Sequence, residues 1–179
     1  CICMLAAQHR LAIWAADVGQ AFLKGMKFDE IAKLTGEPIR EVNFYLPSAS
    51  VPMLKQVKGF ESFNPQLEVL HCDKPGTGSV DAPRCFSMKL SIVTREKCGM
   101  ESSSVDPEIC FIHDVKPNGE KLLKCVITKH VDDLKFTGER STIQWVLHKL
   151  QDVFGELKVT WHDFTNCGVH HVQDKVSKG

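Results

Sequence analysis

Three carboxylates stand where a fold would have chemical use for them. Asp17 closes the apolar run 11–16, and Asp132 and Asp133 follow the apolar run 122–131. A carboxylate at the rim of a core is costly unless it is exposed, paired or bound to a cation. Brought side by side, the two strand ends would make an oxygen-rich site suited to Mg²⁺. Two such ions about 4 Å apart activate an attacking hydroxyl and stabilise a leaving oxygen. Each signal also has a plainer explanation when taken singly. Aspartate favours turns, and an aspartate after a strand commonly starts a loop or caps a helix.

The cysteines offer less. They stand at positions 1, 3, 72, 85, 98, 110, 125 and 167, with no C-x-x-C pair, and most fall inside apolar stretches. Buried free thiols in a reducing compartment are expected rather than a disulfide framework. Cys1, Cys3 and His9 have the donor types to begin a metal site, but no second pair follows at zinc spacing.

The elements that must position the carboxylates can be traced along the chain. Residues 11–18 form a short apolar run that predicts a buried strand. Residues 20–35 are expected to be helical or irregular, with Gly25 and Gly36 as breaks. Val42, Phe44 and Leu46 alternate until Pro47, predicting a strand, and 67–72 predicts another. Between them, 47–65 is rich in Pro, Ser and Gly and is expected to be a connecting excursion. Ala82, Phe86, Leu90 and Val93 fall at helical spacing over 79–98, and Gly99 is placed as a stop. Residues 122–131 and 134–137 predict a hairpin with Asp132-Asp133 at its tight turn. Ser141 and Gln144 suggest a capping box. The helix they open would bury Ile143, Val146, Leu147, Leu150 and Phe154 and end at Gly155. Two or three short strands follow over 157–172. The class expected is α+β, an antiparallel sheet with helices packed on one face.

Composition narrows the partners. The chain has 179 residues, 43% apolar and 25% charged, ordinary for a globular protein, and its formal net charge is zero. No strongly basic footprint marks an autonomous nucleic-acid binder. No apolar run approaches the roughly 20 residues of a membrane span, and no secretory signal is evident. An intracellular location, in a cytoplasmic particle or the nucleus, is expected, without membrane or secretion. The first residue is Cys1, not Met, as in a fragment or a conceptual translation.

Six segments, in order, resemble one family. DVGQAFLKG at 17–25 resembles the DVKTAFLNG motif of copia-type retrotransposon reverse transcriptases. EVNFYLP at 41–47 is similar to that family's strand ending in YMxxP. KPGTGSVDAPRCF at 74–86 resembles its YGLKQAPRAW segment, and GMESSSVDPEICF at 99–111 its GF…S…DPCLF. CVITKHVDDLKFTG at 125–138 is similar to LLVYVDDILITG. The helix before Phe154 with DFTNCGVHHV at 163–172 resembles the KFxMxDLG…LGI end of the domain. The likeness spans about residues 11–172.

The resemblance implies a reverse-transcriptase palm with partial fingers over 11–172, a short N-terminal remnant at 1–10, and a tail at 173–179 leading towards a thumb. It implies an RNA-directed DNA polymerase core within a polyprotein that also carries integrase and ribonuclease H. Asp17, Asp132 and Asp133 would be catalytic and would hold two Mg²⁺ ions, with Mn²⁺ as an alternative, and the carbonyl of Val18 would add a ligand. Neighbouring strand residues point to opposite faces, so one of Asp132 and Asp133 is expected to face both ions, Asp133 being the weaker candidate. Partners would be an RNA or DNA template with primer and deoxynucleoside triphosphates. Phe22 would be the steric gate against a 2′-hydroxyl, though a core phenylalanine is the plain alternative. Gly78 and Pro83 would support template and nucleotide, and Arg84 would contact phosphate or be a solvated helix-start arginine. His130 would touch the primer end.

The chain also departs from the family. His130 replaces the usual Tyr before the aspartate pair, Thr77 a Tyr, and Asp81 a Gln, while 26–40 diverges from the usual short helix. The basic fingers segment expected before residue 11 and the thumb expected after 172 have no counterpart here. An inactive remnant, or a nucleic-acid-binding fragment, is therefore the competing expectation.

Overall fold

Trp14 and Ala16 point one way from their strand and Ile13 and Ala15 the other, because successive strand side chains alternate in direction. Both sides are apolar and buried, so Ile13–Asp17 lies inside the molecule with only its last residue at a rim. The computed structural model describes residues 2–174. In chain order the elements are α1 (Ile2–His9), β1 (Ile13–Asp17), α2 (Phe28–Thr35), β2 (Val42–Phe44), α3 (Val51–Leu54), β3 (Leu70–Cys72) and α4 (Ala82–Glu96). There follow β4 (Glu101–Ser102), β5 (Ile109–Val115), β6 (Lys121–His130), β7 (Asp133–Gly138), α5 (Arg140–Phe154), β8 (Lys158–Trp161), β9 (Asp163–Asn166) and β10 (Val169–Val172).

Six strands form one antiparallel sheet in the order β4-β5-β6-β7-β1-β8, with β1 between β7 and β8. Two small ribbons, β2-β3 and β9-β10, stand apart from it. Helices α4 and α5 cover one face. Phe86, Leu90, Ile143, Val146, Leu150 and Phe154 meet the inward side chains Trp14, Ala16, Ile127, Leu134 and Phe136 there. The buried stripe of α5 is the one its spacing predicts. Fully burying one such side chain stabilises by about 1.5–3 kcal/mol.

The α+β class and the antiparallel sheet agree with expectation. Helices on one face only do not. Ala6 of α1 packs with Ile13, Ala15 and Phe164 of β9, so α1 and the β9–β10 hairpin sit on the opposite face. The ten residues expected as a short N-terminal remnant thus include a helix with Ile2 and Ala6 buried. Residues 26–40 contain α2, whose Phe28 and Ile31 pack against Cys85 of α4.

Helix α5 begins differently from its sequence signal. Its N-cap is Glu139, which makes no capping bond with its side chain, and Ser141 and Gln144 form no capping box. The strand before it dictates the start. Glu139 is drawn to β6, its amide donating to the Lys124 carbonyl oxygen and its carboxylate meeting Lys124 Nζ at 2.7 Å. Gly138 lies directly under that carbonyl with φ of 148°, and a Cβ there would collide with the Lys124 backbone. At the other end of α5, Gly155 takes φ of 75° and closes the helix as expected.

Of the buried polar side chains, Thr94, Lys129 and Thr137 are hydrogen-bonded, whereas Asn166 Nδ2 has no partner among the described residues. Lys129 of β6, its side chain almost wholly enclosed, donates to Ser91 Oγ at 2.8 Å and lies 3.6 Å from Glu108. Cys85, Cys98, Cys110 and Cys125 are buried free thiols. Burial pushes Cys98 up to about 11 and Cys125 to about 12, so neither is a nucleophile at neutral pH. Among the described residues no helix is long and apolar enough to cross a membrane.

Candidate functional site

The antiparallel pairing of β1 with β7 sets Asp17 directly opposite Asp133. On the other flank of β1, Lys158 of β8 is opposite Asp17. Beyond β7, His130 of β6 is opposite Asp133. Directly paired residues share a face with their Cβ atoms about 4.5–5.5 Å apart. One row of side chains, His130, Asp133, Asp17 and Lys158, therefore crosses four strands at one end of the sheet. It lies on the face away from α4 and α5, since Asp17 alternates with Ala16 and Asp133 with Leu134.

Asp132 sits in the turn. The loop between β6 and β7 is Val131–Asp132, one residue earlier than the sequence suggests, and Asp133 already belongs to β7. Val131 has φ of 56°. A positive φ is expensive for a β-branched residue, and strain of this kind concentrates at functional sites. The turn is tied to the chain leaving β1, because the Val18 amide donates to the Asp132 carbonyl oxygen at 3.4 Å.

Charge accumulates here. Asp17 has its pKa raised above the ordinary 3.8, first by burial, then by the charges of Asp132 and Asp133, while Lys158 and Lys24 pull it down. Asp133 Oδ2 also accepts a hydrogen bond from the Cys167 amide at 3.0 Å, which ties that carboxylate to the β9–β10 turn. Beside the pair opens a cavity of about 330 Å³, lined by Asp17, Asp133, Lys158, Thr160, Phe164 and Thr165. Burial and the neighbouring Asp133 charge also hold the Cys167 thiol above its usual range.

The donor set is all hard oxygen, the kind Mg²⁺ takes. Among the described residues no three His, Cys, Asp or Glu side chains gather tightly enough to hold a metal ion by themselves. Mg²⁺ does not require that, for it is usually held by one or two carboxylates together with substrate phosphates and water. Asp17 with Asp132 or Asp133 meets that lesser requirement. Cys1, named with Cys3 and His9 as a possible site, lies outside the described residues, and Cys3 Sγ lies 3.9 Å from His171 Nδ1.

The other residues singled out are spread more widely. Val18 is buried in the main core, and Phe22, in the short turn Ala21–Lys24, is half-buried against the same core. Gly25 closes that motif for a steric reason: a Cβ would come within 3.1–3.2 Å of the Cys85–Phe86 backbone of α4. Gly78 is exposed with φ of 88°, and Pro83 occupies the first turn of α4. Arg84 is not free. Its guanidinium donates to both carboxylate oxygens of Glu37 at 2.8 and 3.0 Å, beside a separate cavity shared with Arg40 and Asp81.

The fold thus gathers His130, Asp132, Asp133, Asp17 and Val18 at one end, and leaves Gly78, Pro83 and Arg84 in another region. Sequence reasoning missed Lys158 and the clamp from Cys167. The alternation of Lys158 and Thr160 carried a signal for one strand face, but its neighbour in the sheet was not legible. Residues 175–179 of the expected tail lie outside the described residues.

Searches against protein-family models, curated proteins and solved structures return no match to this chain.

Proposed function

We propose that the chain is the palm-centred part of a copia-type retrotransposon reverse transcriptase, an RNA-directed DNA polymerase core working within a longer polyprotein. The observation that carries this reading is the cross-strand meeting of Asp17 with the Asp132–Asp133 hairpin. The alternative, carboxylates on separate surfaces, would have removed any common ion. The order of the six motifs supports it as well.

Asp17 and Asp132 are the residues that would hold Mg²⁺, and Asp133, turned to the Cys167 amide, would position the hairpin. The bound ions supply charge stabilisation for phosphoryl transfer and lower the pKa of an attacking hydroxyl. The protein's own part is placement. The strained Val131 turn would present Asp132 to Asp17 at the sheet's rim, where both are half-buried. Lys158 balances Asp17 and adds a cation on the same face for a polyanionic substrate. His130 stands at the far end of the row, exposed, where a primer end would pass. Phe22 follows Asp17 by five residues and would screen the nucleotide sugar. The template, RNA or DNA, with its primer and the deoxynucleoside triphosphates, would lie on the face away from α4 and α5.

The test is metal-dependent nucleotide incorporation by the complete polyprotein product. Extension of a primer with Mg²⁺, abolished by Asp132→Asn, is expected. Undiminished extension in that variant would falsify the metal assignment. A second reading, a non-catalytic remnant or nucleic-acid-binding fragment, is favoured by the net charge of zero and by His130, Thr77 and Asp81 standing where the family has Tyr, Tyr and Gln. It predicts no Mg²⁺ binding by calorimetry and no incorporation by the wild-type product.

A further inference from the structure

At the opposite end of the same strands lies a second cavity, of about 380 Å³, bordered by Arg10, Trp14, Glu139, Arg140, Trp161 and His162. Trp161 ends β8, an edge strand of the sheet, and 51% of its surface is exposed. Its ring packs on Trp14 with centroids 5.1 Å apart. The Arg140 guanidinium lies 6.0 Å from the centre of the Trp14 ring. Among the described residues neither Arg10 nor Arg140 has a carboxylate partner, and the one carboxylate at this border, Glu139, is neutralised by Lys124 at 2.7 Å.

We propose that this shelf binds one nucleotide unit of a single-stranded nucleic acid, its base stacked on Trp161 and its phosphate between Arg10 and Arg140. The complementarity is specific in kind. An exposed indole offers a flat apolar surface that accepts any base, and two unpaired guanidiniums suit a phosphate. The volume falls at the small end of ligand sites, enough for one nucleotide. A half-open ring at a sheet edge forms a ledge, which favours a strand passing across over a free nucleotide enclosed on all sides. The ledge is distinct from the carboxylate row. Lys158 and Trp161 are three residues apart, about 10 Å along β8, and their side chains leave opposite faces. The inference therefore stands whether or not the polymerase reading holds.

Titration of an end-labelled thymidine pentanucleotide with the chain, followed by the label's fluorescence anisotropy, is expected to give saturable binding that weakens with salt. Trp161→Ala should weaken binding about tenfold, and Trp161→Phe should retain most of it. Arg10→Ala combined with Arg140→Ala should weaken binding and flatten its salt dependence. Two outcomes would overturn the proposal: unchanged affinity in Trp161→Ala, or inorganic phosphate or thymidine monophosphate binding as tightly as the pentanucleotide. Thermal unfolding of each variant separates lost binding from lost fold, and Trp161→Phe keeps the test valid should the alanine variant fail to fold.

Discussion

On the side of β1 that faces α4 and α5, Trp14 and Ala16 join a cluster with Phe86, Leu90, Leu150 and Phe154. On the other side, Ile13 and Ala15 join a smaller cluster with Ala6 and Phe164, and the next residue in that file is the charged Asp17. A single five-residue strand therefore serves two purposes. One face supplies the apolar burial that holds the sheet. The other is thinly covered and ends in carboxylates whose mutual repulsion works against folding. Stability and chemistry have been given to alternate residues, and substitutions on the two sides should fail in different ways.

The largest expected effect is on the charged side. Asp17→Asn or Asp132→Asn should lower primer extension by the full-length product by about 1000-fold or more, the scale of losing a main electrostatic contributor to catalysis. Global stability should hardly fall. On the apolar side, Leu150→Ala should cost about 2–5 kcal/mol in urea unfolding, through lost transfer energy and a residual cavity. Its activity should decline only in proportion to the unfolded fraction.

A subtler difference lies in the response to pH. Burial and two neighbouring carboxylates raise the Asp17 pKa above 3.8. A group that holds its proton more tightly when folded contributes stability that is fully present below the unfolded value and lost as pH rises through the raised native value. Asp17→Asn imitates the protonated form. It should be more stable than the wild type at pH 7, match it near pH 3, and lose part of its advantage when Mg²⁺ is added to the wild type. Equal pH profiles for the two proteins would show that folding does not raise the Asp17 pKa. The smallest effect is expected far from both faces: Glu37→Gln releases Arg84 from an exposed ion pair and should leave the unfolding midpoint unchanged within error.

Where hydrophobic period alone decided an element, the sequence sufficed. The stripe Ile143, Val146, Leu147, Leu150 and Phe154 and the long apolar run of β6 were legible because each pattern matches one geometry. Where a distant backbone intervened, it did not suffice. Ser141 and Gln144 have the right types for a capping box, yet the Lys124 carbonyl and carboxylate pairing fix the helix start two residues earlier. The carboxylates could be identified by their position after apolar runs, and so could the hairpin, within one residue. Their cross-strand register could not, nor could Lys158 opposite Asp17 or the Cys167 amide on Asp133, because those depend on which strands become neighbours. Helix α1 was missed for a similar reason: two buried residues, Ile2 and Ala6, make too short a pattern to be seen without the sheet they cover.

Gly138 stands at the far end of β7 from the acidic turn, yet it governs where that turn sits. Only a residue without a side chain passes beneath the Lys124 carbonyl, and Gly138 pairs there with Cys125. Sliding β7 by two residues, the smallest slip that keeps its apolar side inward, would bring Phe136 or Arg140 to that pinch. The glycine thus acts as a pawl: it leaves the hairpin one permitted notch, and in that notch Asp133 faces Asp17.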